Sequence, residues 1–230
     1  MRSFPSLLLV EGKNDFHVVR NLWVARFPSD RTGDIVICPE TGSEFRIQDI
    51  GEGHAGGITK LLESLPLYLK QRPPTLERLG VLVDTNDQPD RRWNAILGYL
   101  LRAGYDPPPD PPTDGLVLDH PIDQRPRVGV WLMPDNHLPG MLENFVRWLI
   151  PDNDHLVSKV DDVLNDIDQE GLRRYEIQHR PKAFIHTWLA WQEKPGQLMG
   201  QAITAGVLVP TSPLADPFIG WLQRLFCTLQ

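Results

Sequence analysis

The stretch LLLVEGKND, Leu7 to Asp15, sets the reading of this chain. Its aliphatic run reads as a buried strand, but it breaks off at Glu11, and a second acid, Asp15, follows four residues later. A carboxylate at a strand's end either meets solvent there or is one of several acids gathered to hold a metal. The rest of the chain decides between the two.

Working outward, strand-like and helix-like segments alternate through the first half, the pattern of an α/β domain with a mainly parallel sheet. Strands are expected near 5–11, 34–38, 79–84 and 127–133. Between them NDFHVVRNLWVARF carries Phe16, Val19, Leu22, Trp23 and Phe27 close to a 3.6-residue period, and GGITKLLESLPLYL behaves similarly. QPDRRWNAILGYLLRAG adds a third helix, with Asp87 or Asp90 as its N-cap and Gly104 as its stop. DPPPDPPTD, Asp106 to Asp114, holds five prolines in nine residues and reads as a stiff surface loop. GLVLDH and RPRVGVWLMPDN follow as two strands, then GMLENFVRWLI as a helix. From Pro151 only helices are expected, near 154–169, 181–193 and 213–227, with EKPGQLMGQAITAG as a helical linker. The expected organisation is an α/β core over 1–150 and a helical extension over 151–230 packed on it.

The bulk numbers allow this. A chain of 230 residues suits one large domain or a core with a smaller appendage. No apolar stretch approaches the roughly 18 residues that span a bilayer, and Glu11 cuts the first apolar run too short for a signal peptide, so a soluble, cytoplasmic protein is expected. Cys38 and Cys227 are too few for a disulfide framework or a zinc knuckle and are expected to stay reduced in the core. The net charge of −7 argues against nucleic-acid binding by phosphate neutralisation alone. It does not exclude such binding, because acids around a divalent cation lower the formal charge while the bound ion offers positive charge to a phosphate.

In a parallel α/β sheet, ligand sites form outside the carboxyl ends of the strands. Glu11 closes the first strand and Asp84 closes the one in GVLVDTNDQPD, followed by Asn86 and Asp87. Asp135 ends VGVWLMPDN, and Glu143 lies in the first turns of the next helix. Carboxylates that converge repel and raise one another's pKa unless something positive sits among them. Mg²⁺, an oxygen-seeking ion that keeps several waters, is the natural candidate.

These residues resemble the Toprim domain of topoisomerases, primases and certain nucleases, whose pattern is Glu-Gly after the first strand and Asp-x-Asp after a later one. VEGKND supplies Glu11 and Gly12, and VDTND supplies Asp84, with Asn86 where the second acid is expected. That departure leaves Asn86 as a weaker oxygen ligand, Asp87 in its place, or metal binding impaired. Within the superfamily the chain is similar to nucleases of the overcoming-lysogenization-defect type and to a group of small Toprim-like prokaryotic proteins. GVWLMPDNHLPGMLENF and HTWLAWQEKPG carry the second likeness. The resemblance implies a Toprim-like core that binds Mg²⁺ or Mn²⁺, as two ions, through Glu11, Asp15, Asp84 and Glu143, with Asn86 and Asp87 as further candidate ligands. It implies hydrolysis of DNA or RNA with Glu11 in catalysis and Lys182, in RPKAFIHTWLAWQ, assisting phosphate chemistry. A partner ATPase, homodimerisation and a setting in prokaryotic defence also come from the resemblance alone, and a membrane is not implied.

Plainer roles stand beside these. Asp15 suits the first turn of a helix by the macrodipole, Asp87 suits an N-cap, Asp135 suits a turn, and Lys182 suits an exposed surface. Trp188 and Trp191, three apart, read as core. GEGHAGG, Gly51 to Gly57, reads as a turn first and an anion cradle second, because it lacks the Gly-Lys-Ser/Thr ending of a P-loop. A module that binds nucleic acid or a partner without catalysis is the competing function, motivated by Asn86 and the negative charge.

Overall fold

The computed structural model describes residues 5–28, 33–51, 57–72, 74–121 and 124–227. Among these, six strands form one mixed sheet: β1 (Ser6–Val10), β2 (Ile35–Ile37), β3 (Glu44–Asp49), β4 (Arg78–Asp84), β5 (Leu116–Leu118) and β6 (Arg127–Met133). Their order is β2-β3-β1-β4-β6-β5. The four central strands run parallel, and β2 and β5 pair antiparallel at the two edges. Helices flank this sheet in a Rossmann-like α/β arrangement.

Side chains alternate across the sheet, so each strand feeds two apolar layers. Leu8, Val10, Phe45, Ile47, Leu82, Trp131 and Met133 belong to one, together with α1 (Lys13–Arg26), α4 (Leu142–Arg147), α5 (Leu156–Gln169), α6 (Arg180–Ala190), α7 (Met199–Thr204) and α8 (Asp216–Phe226). Leu7, Leu9, Leu79, Val81, Val83, Val128, Val130 and Leu132 belong to the other, under α2 (Gly57–Tyr68) and α3 (Pro89–Arg102). Burial on both faces explains why these strands read as continuous apolar runs. α8 lies against β4, β5 and β6, and α7 lies against α1. Glycine permits the first of these contacts: a Cβ on Gly129 would stand 2.5 Å from Leu225 Cδ2, and one on Gly80 would stand 2.9 Å from Phe226 Cζ.

Three local expectations need correction. No strand is expected over 44–49, yet β3 sits beside β1, because Phe45 and Ile47 face the core while Glu44, Arg46 and Gln48 alternate outward. Helix α3 is not capped by Asp87 or Asp90. Gln88 is its N-cap residue, Pro89 takes the first position where its missing N–H costs nothing, and Asp90 lies in the first turn. Trp188 is core as expected, donating its Nε1–H to Asp154 Oδ2 at 2.9 Å, but Trp191 lies past the end of α6 and is 41% exposed.

The cysteines are the fourth correction. Cys38, just after β2, and Cys227, just after α8, form a disulfide with Cα atoms 5.4 Å apart across 189 residues of sequence. Stacking of Phe45 on Phe226, with centroids 4.2 Å apart, and the Ser43 Oγ–H donated to Phe226 O at 3.0 Å bring the two ends together. A cross-link closing so long a loop restricts the unfolded chain strongly. Reduction or Cys227→Ser is therefore expected to lower stability by about 2–4 kcal/mol, seen as a lower urea midpoint with a steeper slope, because the freed unfolded chain exposes more surface. Thiol titration of the unreduced, unfolded protein checks the premise, and two free thiols would overturn it. Among the described residues no helix is long and apolar enough to cross a membrane.

Candidate functional site

The carboxyl ends of β1 and β4 lie side by side in the middle of the parallel sheet, and each strand is followed at once by an acid or ends in one. Glu11 follows Val10, and Asp84 is the last residue of β4. One turn into α1, Asp15 faces the same space, and α4 brings Glu143 in its own first turn. Glu11, Asp15, Asp84 and Glu143 line one cleft of about 350 Å³, with Gly12, Leu142 and Lys182 among its other walls.

Backbone hydrogen bonds link these elements in series. The Leu142 N–H donates to Asp84 Oδ1 at 2.9 Å, and the Asp84 N–H donates to Glu11 Oε1 at 2.8 Å. Each carboxylate thus receives one amide and keeps a second oxygen for the cleft. Glu143 is 4% exposed, and its Oε2 is buried with no hydrogen-bond partner among the described residues. A buried carboxylate oxygen left in this way costs stability unless a donor or a cation meets it.

The electrostatics agree with that cost. Burial, then the neighbouring Glu11 and Glu143 carboxylates, push the Asp15 pKa up to about 7 against the backbone N–H groups of Asp15 and Gly12. Asp84 is raised well above the usual range by burial and then by Asp15, Glu11 and Glu143, opposed by the Leu142 amide. Burial also raises Glu11, while the Asp84 amide, Arg92 and Lys182 pull it back. Glu11, Asp15 and Asp84 are thus held above the usual carboxylate range by burial, with neighbouring carboxylates adding to it for Asp15 and Asp84.

All four offer hard oxygen ligands of the kind a divalent cation takes. Among the described residues, no group of three or more His, Cys, Asp or Glu is arranged to close around an ion as it stands. The orphaned Glu143 oxygen and the mutual repulsion are the features that a cation would relieve.

The remaining candidates fall elsewhere. Asn86 sits at a left-handed φ of 53° with its N–H donated to Gly140 O at 2.6 Å, a conformation asparagine tolerates better than most residues. Asn86 and Asp87 line a neighbouring pocket and not the acid cleft. Asp135 plays the turn role, accepting the N–H groups of His137 and Leu138 at 3.0 and 2.7 Å. Lys182 stands exposed on α6 at the cleft's wall.

Two features escaped the sequence reading. Gly51 and Gly57 press on the Glu11 backbone so closely that a Cβ would lie 2.0 and 2.5 Å from Glu11 O, so both ends of the GEGHAGG run are glycine for steric reasons. Its residues 52–56, and with them the anion-cradle reading, lie outside the described residues. Arg92 was also missed. It donates its Nε–H to Asp84 O at 2.9 Å and lowers the Glu11 pKa. A signal was present: Arg91 and Arg92 stand near the N-terminus of a helix, where the macrodipole disfavours cations.

Fold and site together define an α/β protein in which two parallel strand ends and the first turns of two helices bring four carboxylates to one cleft. The chain belongs to the family described as Protein of unknown function (DUF3226), whose model matches residues 5–227. No curated protein matches it, and no solved structure does.

Proposed function

We propose that this protein is a metal-dependent nuclease with a Toprim-like core, hydrolysing phosphodiester bonds of DNA or RNA at the acid cleft. One observation carries the reading: four acids converge on the cleft and leave the Glu143 Oε2 buried without a partner. The Toprim resemblance of VEGKND and VDTND supports it independently, since Glu11 and Asp84 are the acids those motifs name.

In this reading Glu11, Asp15, Asp84 and Glu143 hold Mg²⁺ or Mn²⁺, which when bound neutralises charge on a phosphate and lowers the pKa of water. The chain's own residues do the rest. The Glu11 oxygen left free by the Asp84 amide accepts the proton of the attacking water, and its raised pKa suits a general base. Lys182, on the cleft's wall, supplies positive charge to the phosphate oxygens as negative charge grows there. Asp87 and Asn86, facing the neighbouring pocket, take no part in this set. A partner ATPase, a homodimer and a place in prokaryotic defence remain expectations of the resemblance.

Labelled single- and double-stranded DNA and RNA, incubated with the protein and Mg²⁺, Mn²⁺ or EDTA, test the proposal. Cutting with metal and none with EDTA is expected. Binding of nucleic acid without cutting in every condition would favour a non-catalytic module acting with a partner protein. The observation that favours this second reading is Asn86 itself, which lacks the charge of the second motif acid and is turned away from the cleft.

A further inference from the structure

A second pocket of about 400 Å³ lies beyond the end of β4: Asp84 lines the acid cleft and Thr85, the next residue, lines this pocket. Leu62 and Ala95 form part of its wall and Asn86, Gln88, Arg91 and Arg92 the polar part, with no aromatic ring. We propose that this pocket binds the sugar-phosphate backbone of a nucleic-acid strand that continues from the cleft. The inference rests on the nuclease reading for what happens at the cleft, but not for the binding itself.

The two arginines carry the argument. Several arginines pair with acids, as in Arg26–Asp216, Arg147–Asp161 and Arg180–Asp168. Arg91 and Arg92 make no ion pair among the described residues. Arg92 is half-buried and uses only its Nε, on the Asp84 carbonyl, so both Nη groups stay available. Arg91 is exposed and gives Nη1 to Gln88 Oε1 at 3.0 Å. A guanidinium presents parallel donors that match two phosphate oxygens, and these two, with no ion-pair partner among the described residues, leave such donors for an anion.

The rest of the pocket narrows the ligand. The Asn86 and Gln88 amides suit phosphate and sugar oxygens, the Thr85 hydroxyl being buried and bonded to Met133 O and Gly140 O, and the lining holds no aromatic side chain on which a base could stack. Contact is therefore with the backbone and independent of sequence. Asp87, exposed at the rim, removes part of the positive charge, which leaves a modest site suited to one or two phosphates. Gln178 comes from the turn just before α6, the helix that carries Lys182, so both sides of the path to the cleft bear a group for the strand.

The test is fluorescence anisotropy of a labelled abasic deoxyribose-phosphate oligomer with the full-length chain in EDTA, where binding is read apart from cleavage. Wild type is expected to bind, and Arg91→Ala/Arg92→Ala to bind at least roughly tenfold more weakly, with a log–log salt slope flatter by about 1.4 for two lost phosphate contacts. Because Arg92 also holds the Asp84 carbonyl, Arg91→Ala alone is included, with about half that change in slope expected; Arg92→Lys should recover part of the affinity. No binding by wild type, or equal binding by the double variant, overturns the proposal. Competition by AMP as effective as by unlabelled oligomer overturns it in favour of a mononucleotide site. Binding that depends on the arginines in a protein that never cuts keeps this pocket and sinks the nuclease, whereas cutting that ignores both arginines does the reverse.

Discussion

Glu11→Gln is expected to lower metal-dependent cleavage by roughly 10²–10⁴-fold, the usual contribution of a positioned general base. The substitution is nearly isosteric, and its amide oxygen can still accept the Asp84 N–H that Glu11 Oε1 accepts at 2.8 Å. What is lost is the charge on the second oxygen and the ability to take a proton. Thermal unfolding of the variant should match or exceed that of wild type, because a buried carboxylate whose pKa burial raises is replaced by a neutral group. The same reasoning predicts that the variant responds less to Mg²⁺ or Mn²⁺ in melting experiments. Wild-type cutting rates in a folded variant would remove Glu11 from the chemistry.

The second large effect concerns stability and reverses the usual cost of altering a buried residue. Asp15→Asn should stabilise the metal-free protein at neutral pH and above by an amount of the order of 4 kcal/mol, since Asp15 titrates near 3.8 when unfolded and near 7 when folded. The folded chain holds that proton more tightly than the unfolded one. Its contribution is therefore complete below pH 3.8 and is lost as pH rises towards 7. Asp84 and Glu11, also raised, act in the same direction. Urea titrations in EDTA across this range should show wild-type stability falling more steeply than that of Asp15→Asn. Under the nuclease reading, Mg²⁺ or Mn²⁺ should restore wild type at neutral pH and act less on the variant. Parallel profiles for the two proteins would mean that Asp15 is not held among repelling neighbours.

Much of the site was legible because its signals are local. An apolar run buried on both faces that stops at an acid places that acid at the carboxyl end of a strand, and this was true of both Glu11 and Asp84. That Asp15 and Glu143 join them was an expectation of the Toprim resemblance, and both lie in the first turns of helices that face the cleft. The parallel sheet required the strand ends to lie together, so the meeting of Glu11 and Asp84 could be expected from topology alone. The N-terminal turn of α3 was less legible. Its paired arginines read as an ordinary polar face, although two cations at that end of a helix go against the macrodipole.

What the sequence by itself determined is the α/β class, most of the elements and the two strand-end acids Glu11 and Asp84, because hydrophobic period and strand-end chemistry are written within a few residues of one another. Only the tertiary structure decided the rest: that β3 lies next to β1, that Cys38 meets Cys227 across 189 residues, that Gly51 and Gly57 abut the Glu11 carbonyl, and that Asn86 and Asp87 turn into a neighbouring pocket with Arg92. The physical reason is that each of these depends on which distant segments share a wall. That is settled by packing the two apolar layers around the sheet, and no local period records it.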